Sequence, residues 1–109
     1  LVITYLQERL KVDYVDSITE PGPNLILAQQ TNINLVEPIF NRLKISVDHH
    51  GSVGIAVADH YDCAGNPATK EQQTVHTLDA IRCIKSRYSD LEIIGLWIDE
   101  NWKVSELST

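Results

Sequence analysis

The chain has 109 residues, of which 43% are hydrophobic, and these values suit one domain with a single core. Its formal net charge of −6 argues against non-specific binding to nucleic acid, because phosphate backbones attract basic surfaces. No run of eighteen apolar residues occurs, so no membrane-spanning helix is predicted. Two cysteines are too few for a disulfide framework and no secretory signal is visible, so we expect a cytoplasmic protein.

The first part of the chain alternates between predicted helix and predicted strand. Apolar residues at helical spacing predict a helix over 2–10. The alternation of polar and apolar residues over 13–19 predicts a short strand, which the proline- and glycine-rich segment 21–24 ends. Segment 25–30 fits either a helix or a strand.

The middle of the chain carries a second helix and a buried strand. The helix is predicted over 35–50, with Asn34 as its N-cap. The continuous apolar run 53–58 is typical of a strand that is buried on both faces, as in a parallel sheet. A polar loop over 59–67 is expected to follow this strand.

A capping box formed by Thr69 and Gln72 predicts the start of a third helix. Its apolar stripe is predicted to contain the following residues: Val75, Leu78, Ile81, Ile84 and Tyr88. The last two predicted elements are a second buried strand over 91–98 and a short edge strand within 102–107.

Helices that alternate with strands predict an α/β fold of one domain. We expect a three-layer, Rossmann-like architecture, in which helices flank an open and mainly parallel sheet. The opening helix has no strand before it, so we also expect the chain to lack a first strand and to be incomplete at its N-terminus.

The candidate site lies after the first buried strand, because ligands of open α/β sheets bind beyond the carboxyl ends of the strands. His60 and Cys63 are potential zinc ligands, since an imidazole and a thiolate three residues apart can reach one tetrahedral ion. Asp59 and Asp62 lie beside them. Two ligands do not complete a zinc site, and the spacing alone leaves open an ordinary loop histidine and an unremarkable cysteine.

Segment 53–67 (VGIAVADHYDCAGNP) resembles the second metal motif of the β-class carbonic anhydrases. It is closer still to a short, divergent branch of that family, whose members read His-x-Asp-Cys-Ala-Gly-Asn-Pro. Segments 13–24 and 93–104 resemble the same branch. The resemblance implies zinc bound by His60 and Cys63, together with a cysteine from a Cys-x-Asp-x-Arg motif that the printed sequence does not contain.

The resemblance also implies an activity, namely the reversible hydration of CO2 to bicarbonate by zinc-bound hydroxide, in a homodimer or higher homo-oligomer. Two carboxylates are candidate catalytic residues. Asp59 stands where the family has glycine, and is a candidate ligand or a hydrogen-bond acceptor that orients His60. Asp62 is a candidate proton relay or an ordinary solvated carboxylate. Ala64 replaces the family's second glycine, and Gly65 follows it.

Other functions stay open at this point. The departures at Asp59 and Ala64 favour a non-catalytic zinc- or anion-binding module on the same fold. Hydrolysis of small carbon–sulfur substrates uses the same constellation in relatives. A nucleotide-binding domain is disfavoured, because no glycine-rich phosphate-binding loop occurs.

Four further residues are expected to have structural roles only. His76 falls beside the apolar stripe of the third helix and is expected to be exposed. Cys83 is expected to be a partly buried helix residue. Trp97 and Trp102 are expected to pack on the core or on a dimer partner.

Overall fold

A computed structural model describes residues 1–107 of the chain. These residues form four α-helices, one π-helical turn and three strands. In chain order the elements are α1 (Val2–Leu10), α2 (Pro23–Gln29), α3 (Ile33–Lys44), the π-helical turn (Ile45–His49), β1 (Gly54–His60), α4 (Lys70–Lys85), β2 (Glu92–Ile98) and β3 (Val104–Glu106). Within the described residues, no helix has the length and apolarity that crossing a membrane requires.

The three strands form one mixed sheet in the order β1-β2-β3. β1 and β2 run parallel, with Gly54 opposite Glu92. β3 pairs with β2 in the antiparallel direction, with Leu96 opposite Glu106. The predicted α/β class is therefore confirmed, whereas the mainly parallel sheet is confirmed only for β1 and β2. The turn over 99–103 is too short for the crossover that a parallel connection needs, so β3 has to run antiparallel.

Helices cover both faces of the sheet. The larger hydrophobic core lies between the sheet and the helices α2, α3 and α4, and its residues are Leu27, Val36, Ile39, Phe40, Leu43, Val57, Ala80, Ile81, Cys83, Ile84 and Ile93. The smaller core packs Leu6 of α1 against Ile94 and Leu96 of β2. Since neighbouring residues of β2 enter different cores, the strand is apolar throughout, as the continuous run in the sequence predicts.

The starts of the longer helices follow from their capping residues. In α4, the Thr69 hydroxyl accepts a hydrogen bond from the Gln72 backbone N–H at 3.2 Å, and the Gln72 side chain accepts one from Thr69 at 3.2 Å. The predicted capping box is thus confirmed. The N-cap predicted at Asn34 is wrong, because the Asn32 side chain accepts the hydrogen bond from the Asn34 N–H at 3.1 Å. α3 therefore begins earlier than predicted, at Ile33.

The strand predicted over 13–19 is wrong, because this segment has no regular structure. Val15 packs against the smaller core and Ile18 against the larger one, so the alternating pattern reflects two cores and not strand pairing. The segment is also anchored through Asp16, whose carboxylate lies 2.7 Å from Nδ1 of His50. The ambiguous segment 25–30 falls mainly within α2.

The packing of α1 on the sheet through Leu6 can be tested by substitution. Leu6 is 7% exposed, whereas Ile3 of the same helix is 49% exposed. We expect Leu6→Ala to lower the free energy of unfolding by about 2–4 kcal/mol, because the truncation leaves a cavity against Leu96. Ile3→Ala is the matched control, and we expect it to cost less than about 1 kcal/mol. Urea denaturation measures both changes, and equal losses would show that Leu6 does not anchor α1.

Candidate metal-binding loop and its buried support

The candidate site begins inside β1 and continues into the loop that leads to α4. Asp59 and His60 were expected in the loop, but they are the last two residues of the strand. Successive side chains of a strand point to opposite faces of the sheet. Accordingly, Asp59 is 2% exposed on the side of α2 and α4, while His60 is exposed to solvent.

The Asp59 carboxylate is held by two neighbours. Its Oδ1 accepts a hydrogen bond from the His60 backbone N–H at 2.9 Å, and its Oδ2 accepts one from Asn24 Nδ2 at 2.5 Å. Burial raises the pKa of Asp59 and outweighs these hydrogen bonds and the nearby imidazole, all of which favour the ionised form.

The His60 imidazole has one ring nitrogen engaged and one available. Nδ1 lies 2.9 Å from the Tyr61 carbonyl oxygen, which can only accept a hydrogen bond. Nδ1 therefore carries the proton, and the Nε2 lone pair remains available to a metal. A backbone carbonyl that fixes the ring in this way is a common partner of metal-binding histidines.

The structure places the four predicted site residues in three different environments. Cys63 is buried beside Asp59, and His60 is exposed at the end of the strand. Asp62 is exposed in the turn with φ 57°, in the left-handed region. Asp62 and Lys70 line a groove near the carboxyl ends of β1 and β2.

A network of buried polar side chains supports the loop from the protein interior. Its members are less than 3% exposed and are Asn24, Asp59, Asn66, Gln73 and Thr77. Asn24 Nδ2 donates to Thr77 Oγ1 at 3.2 Å, and Asn66 Nδ2 donates to Asn24 Oδ1 at 3.2 Å. Together these contacts join α2, the loop and α4.

Gln73 connects the two ends of the loop. Its Nε2 donates to the Ala68 carbonyl at 3.2 Å and lies 3.4 Å from the His60 carbonyl. Its Oε1 is buried without a hydrogen-bond partner among the residues that the structure describes. The amide is held in this orientation because a reversed amide would place Oε1 against two carbonyl oxygens.

The donor chemistry of His60 and Cys63 suits zinc, but the described residues do not complete a zinc site. Catalytic zinc sites usually have three protein ligands and structural sites have four. Within residues 1–107, no group of three or more His, Cys, Asp and Glu side chains is placed to hold a metal. Asp59 does not extend the pair, since both its oxygens already accept hydrogen bonds from Asn24 and the His60 backbone.

Comparison with known protein families identifies the family of the chain. Residues 1–108 match a family model described as "putative carbonic anhydrase". The chain belongs to this carbonic anhydrase-like family. The family expected from the 53–67 motif is thereby confirmed. No curated protein and no solved structure gives a significant match to the chain.

Within this carbonic anhydrase-like chain, sequence reasoning missed the buried network. Asn24 and Asn66 each lie beside proline and close to glycine, and such polar residues in tight turns were the available signal. Gln73 and Thr77 lie four residues apart and share one helical face. They occupy the buried side of α4, whereas Val75, which was predicted to be part of the apolar stripe, is exposed.

The structure also shows the surroundings of the residues that were predicted to have structural roles only. The expected exposure of His76 is wrong, because its ring is half-buried and lies 2.9 Å from Asn66 Nδ2. Cys83 is buried within α4, and burial raises the pKa of its thiol. Trp97 is buried, but Trp102 is exposed and does not pack on the core.

Two glycines allow the loop to contact the segment before α2. A Cβ atom on Gly65 would lie 2.3 Å from the Pro21 carbonyl carbon, and one on Gly22 would lie 2.5 Å from the Gly65 carbonyl oxygen. Gly22 also has a left-handed φ of 64°. The close backbone approach therefore falls at Gly65, which accounts for a glycine there and for the tolerance of alanine at position 64.

This close approach predicts a large difference between two glycine substitutions. Gly65→Ala should lower the free energy of unfolding by about 3 kcal/mol or more, because the new methyl group meets backbone that cannot rotate away. Gly51→Ala is the control, since Gly51 has φ 69° and open space around it. We expect the control to cost about 1 kcal/mol through backbone strain alone. Similar values in urea denaturation would contradict the backbone contact.

Asp59 should give the free energy of unfolding a pH dependence of defined sign. Its folded pKa is raised above the ordinary value of 3.8, so the stabilisation is fully present below that value and is lost as pH rises through the folded pKa. In Asp59→Asn this titration is absent, while the cost of an amide facing Asn24 is the same at each pH. We therefore expect wild type to lose stability relative to Asp59→Asn as the pH rises above about 4. Urea denaturation across this range tests it, and a constant difference would contradict the raised pKa.

Proposed function

We propose that this chain is part of a zinc-dependent enzyme that catalyses the reversible hydration of CO2 to bicarbonate. The observation that carries the proposal is the family match over residues 1–108. Two structural features support it, namely the available Nε2 of His60 at the end of β1 and the Cys63 thiol three residues later in the following loop. We further propose a cytoplasmic protein that forms a homodimer or a higher homo-oligomer.

In this proposal the described residues have separate roles. His60 and Cys63 are zinc ligands, and the remaining ligand is a cysteine outside residues 1–107. Zinc, when bound, would lower the pKa of a water molecule toward about 7. Asp59 does not contact the metal but holds the His60 backbone in place. Asp62, which lies exposed in the turn, would exchange protons between the site and solvent.

A second candidate function is a non-catalytic zinc- or anion-binding module. One observation favours it, because the described residues contain no group of three metal-binding side chains. The two candidates differ in whether zinc is bound stoichiometrically and whether CO2 is then hydrated.

The two cysteines provide a matched test of the zinc ligands in the full-length protein. We expect native mass spectrometry to find zinc in each chain of the wild type and of Cys83→Ser, and no zinc in Cys63→Ser. Both thiols are buried, so the comparison separates ligation from the general cost of replacing a buried thiol. The same spectra give the number of chains in the assembly.

Stopped-flow measurement of CO2 hydration then separates the functions. Hydration by the zinc-loaded wild type, with loss in Cys63→Ser, is the expected result. Stoichiometric zinc in Cys63→Ser would show that Cys63 is not a ligand. Zinc-loaded wild type that does not hydrate CO2 would leave the binding module, or hydrolysis of small carbon–sulfur substrates, as the better proposal.

A further inference from the structure

A chain of side-chain hydrogen bonds leads from the candidate site through the protein to His76 on α4. Asp59 Oδ2 accepts from Asn24 Nδ2 at 2.5 Å, and Asn24 Oδ1 accepts from Asn66 Nδ2 at 3.2 Å. Asn66 Nδ2 also lies 2.9 Å from Nδ1 of His76. Asn24 and Asn66 are 0% and 1% exposed, so no bulk water can substitute for these partners.

The orientation of the first amide in this chain is fixed. The Leu25 backbone N–H donates to Asn24 Oδ1 at 2.8 Å, and the Asn24 Nδ2 faces the Asp59 carboxylate. Turning the Asn24 amide over would bring its NH2 group against the Leu25 N–H and its oxygen against Asp59. Asn24 therefore presents its oxygen to Asn66, whichever protonation state Asp59 has.

This orientation determines the two partners that follow. Because Asn24 presents an oxygen, Asn66 has to present its NH2 group, which is a donor only. The same NH2 group faces Nδ1 of His76, so Nδ1 has to accept. Only a neutral imidazole with its proton on Nε2 can do so, since both nitrogens of an imidazolium donate.

We propose that His76 is a positioning residue for His60 at the end of β1 and for the following loop, which carries Cys63. Its Nδ1 is the acceptor that completes the buried chain, and Asp59 at the other end of the chain bonds to the His60 backbone. A side chain at position 76 that can only donate would turn Asn66 away from Asn24 and loosen the Asp59 contacts. The effect that this inference predicts on zinc affinity rests on the proposed function. The effect that it predicts on the hydrogen-bond network does not.

Two substitutions at position 76 separate acceptor from donor in the full-length protein. His76→Gln keeps an acceptor in reach of Asn66, and His76→Lys offers donors only. Val75→Lys is the matched control, because it adds the same charge one residue away at an exposed position. All three replacements are favourable in a helix, so helix propensity does not distinguish them.

We expect His76→Lys to weaken zinc binding by about tenfold or more, as measured by competition with a chelator, because partners behind metal ligands commonly have this effect. His76→Gln and Val75→Lys should bind zinc like the wild type. In ¹⁵N–¹H spectra without metal, His76→Lys should shift the Asn24 side-chain NH2 and the His60 amide signals, and the other two variants should not. A shift of these signals supports the proposal even when wild type binds no zinc, in which case the proposed function is the one that fails.

The proposal is wrong if His76→Lys matches Val75→Lys in these spectra and, where wild type binds zinc, in zinc affinity. A measurement on the wild type alone covers the case in which His76→Lys does not fold. Long-range ¹⁵N spectra of the His76 ring should show an unprotonated Nδ1 and a protonated Nε2. A protonated Nδ1 would overturn the proposal, because the Asn66 NH2 group would then face a second donor.

Discussion

The buried carboxylate of Asp59 is the group on which the arrangement of the candidate site depends. A charge removed from water is costly unless hydrogen bonds replace its hydration. Here the hydrogen bonds come from α2 through Asn24 and from the strand itself through the His60 N–H. Satisfying one buried group thus joins α2 to the end of β1, although Asn24 and Asp59 lie 35 positions apart in sequence. The remaining buried polar residues are needed because each buried partner of Asp59 requires hydrogen-bond partners of its own.

The geometry of β1 places the supporting side chain and the candidate ligand on opposite faces of the sheet. Adjacent residues of a strand point to opposite faces, so Asp59 enters the protein while His60 faces solvent. A carboxylate at position 59 therefore supports the loop from the inside, and a ligand at position 60 remains accessible. This separation also explains why the Asp59 oxygens bond to the His60 backbone and not to its ring, which Tyr61 orients instead.

The features that the sequence allowed us to predict are those that local interactions determine. The Thr69–Gln72 capping box starts α4 within one turn, and the apolar runs became β1 and β2, buried by helices on both sides. The 53–67 motif correctly indicated the family. The missed features depend on contacts between distant residues: Asn24 and Asp59 are 35 positions apart, and no spacing rule connects them. The false strand over 13–19 has the same origin, since alternation does not show whether a pairing partner exists.

The departures from the family pattern have a physical explanation in the fold, and this bears on the two candidate functions. A degraded site would be expected to leave a carboxylate at position 59 without partners or exposed to solvent, because nothing would maintain a costly buried charge. Instead Asn24 and the His60 backbone N–H bond to it, and the backbone approach that requires a glycine falls at Gly65. The substitutions at positions 59 and 64 are thus accommodated by neighbouring residues, and the loop keeps His60 in the tautomer that suits a metal. This accommodation favours a site that has been rebuilt over one that has been lost, and a rebuilt site fits both the enzyme and the binding module.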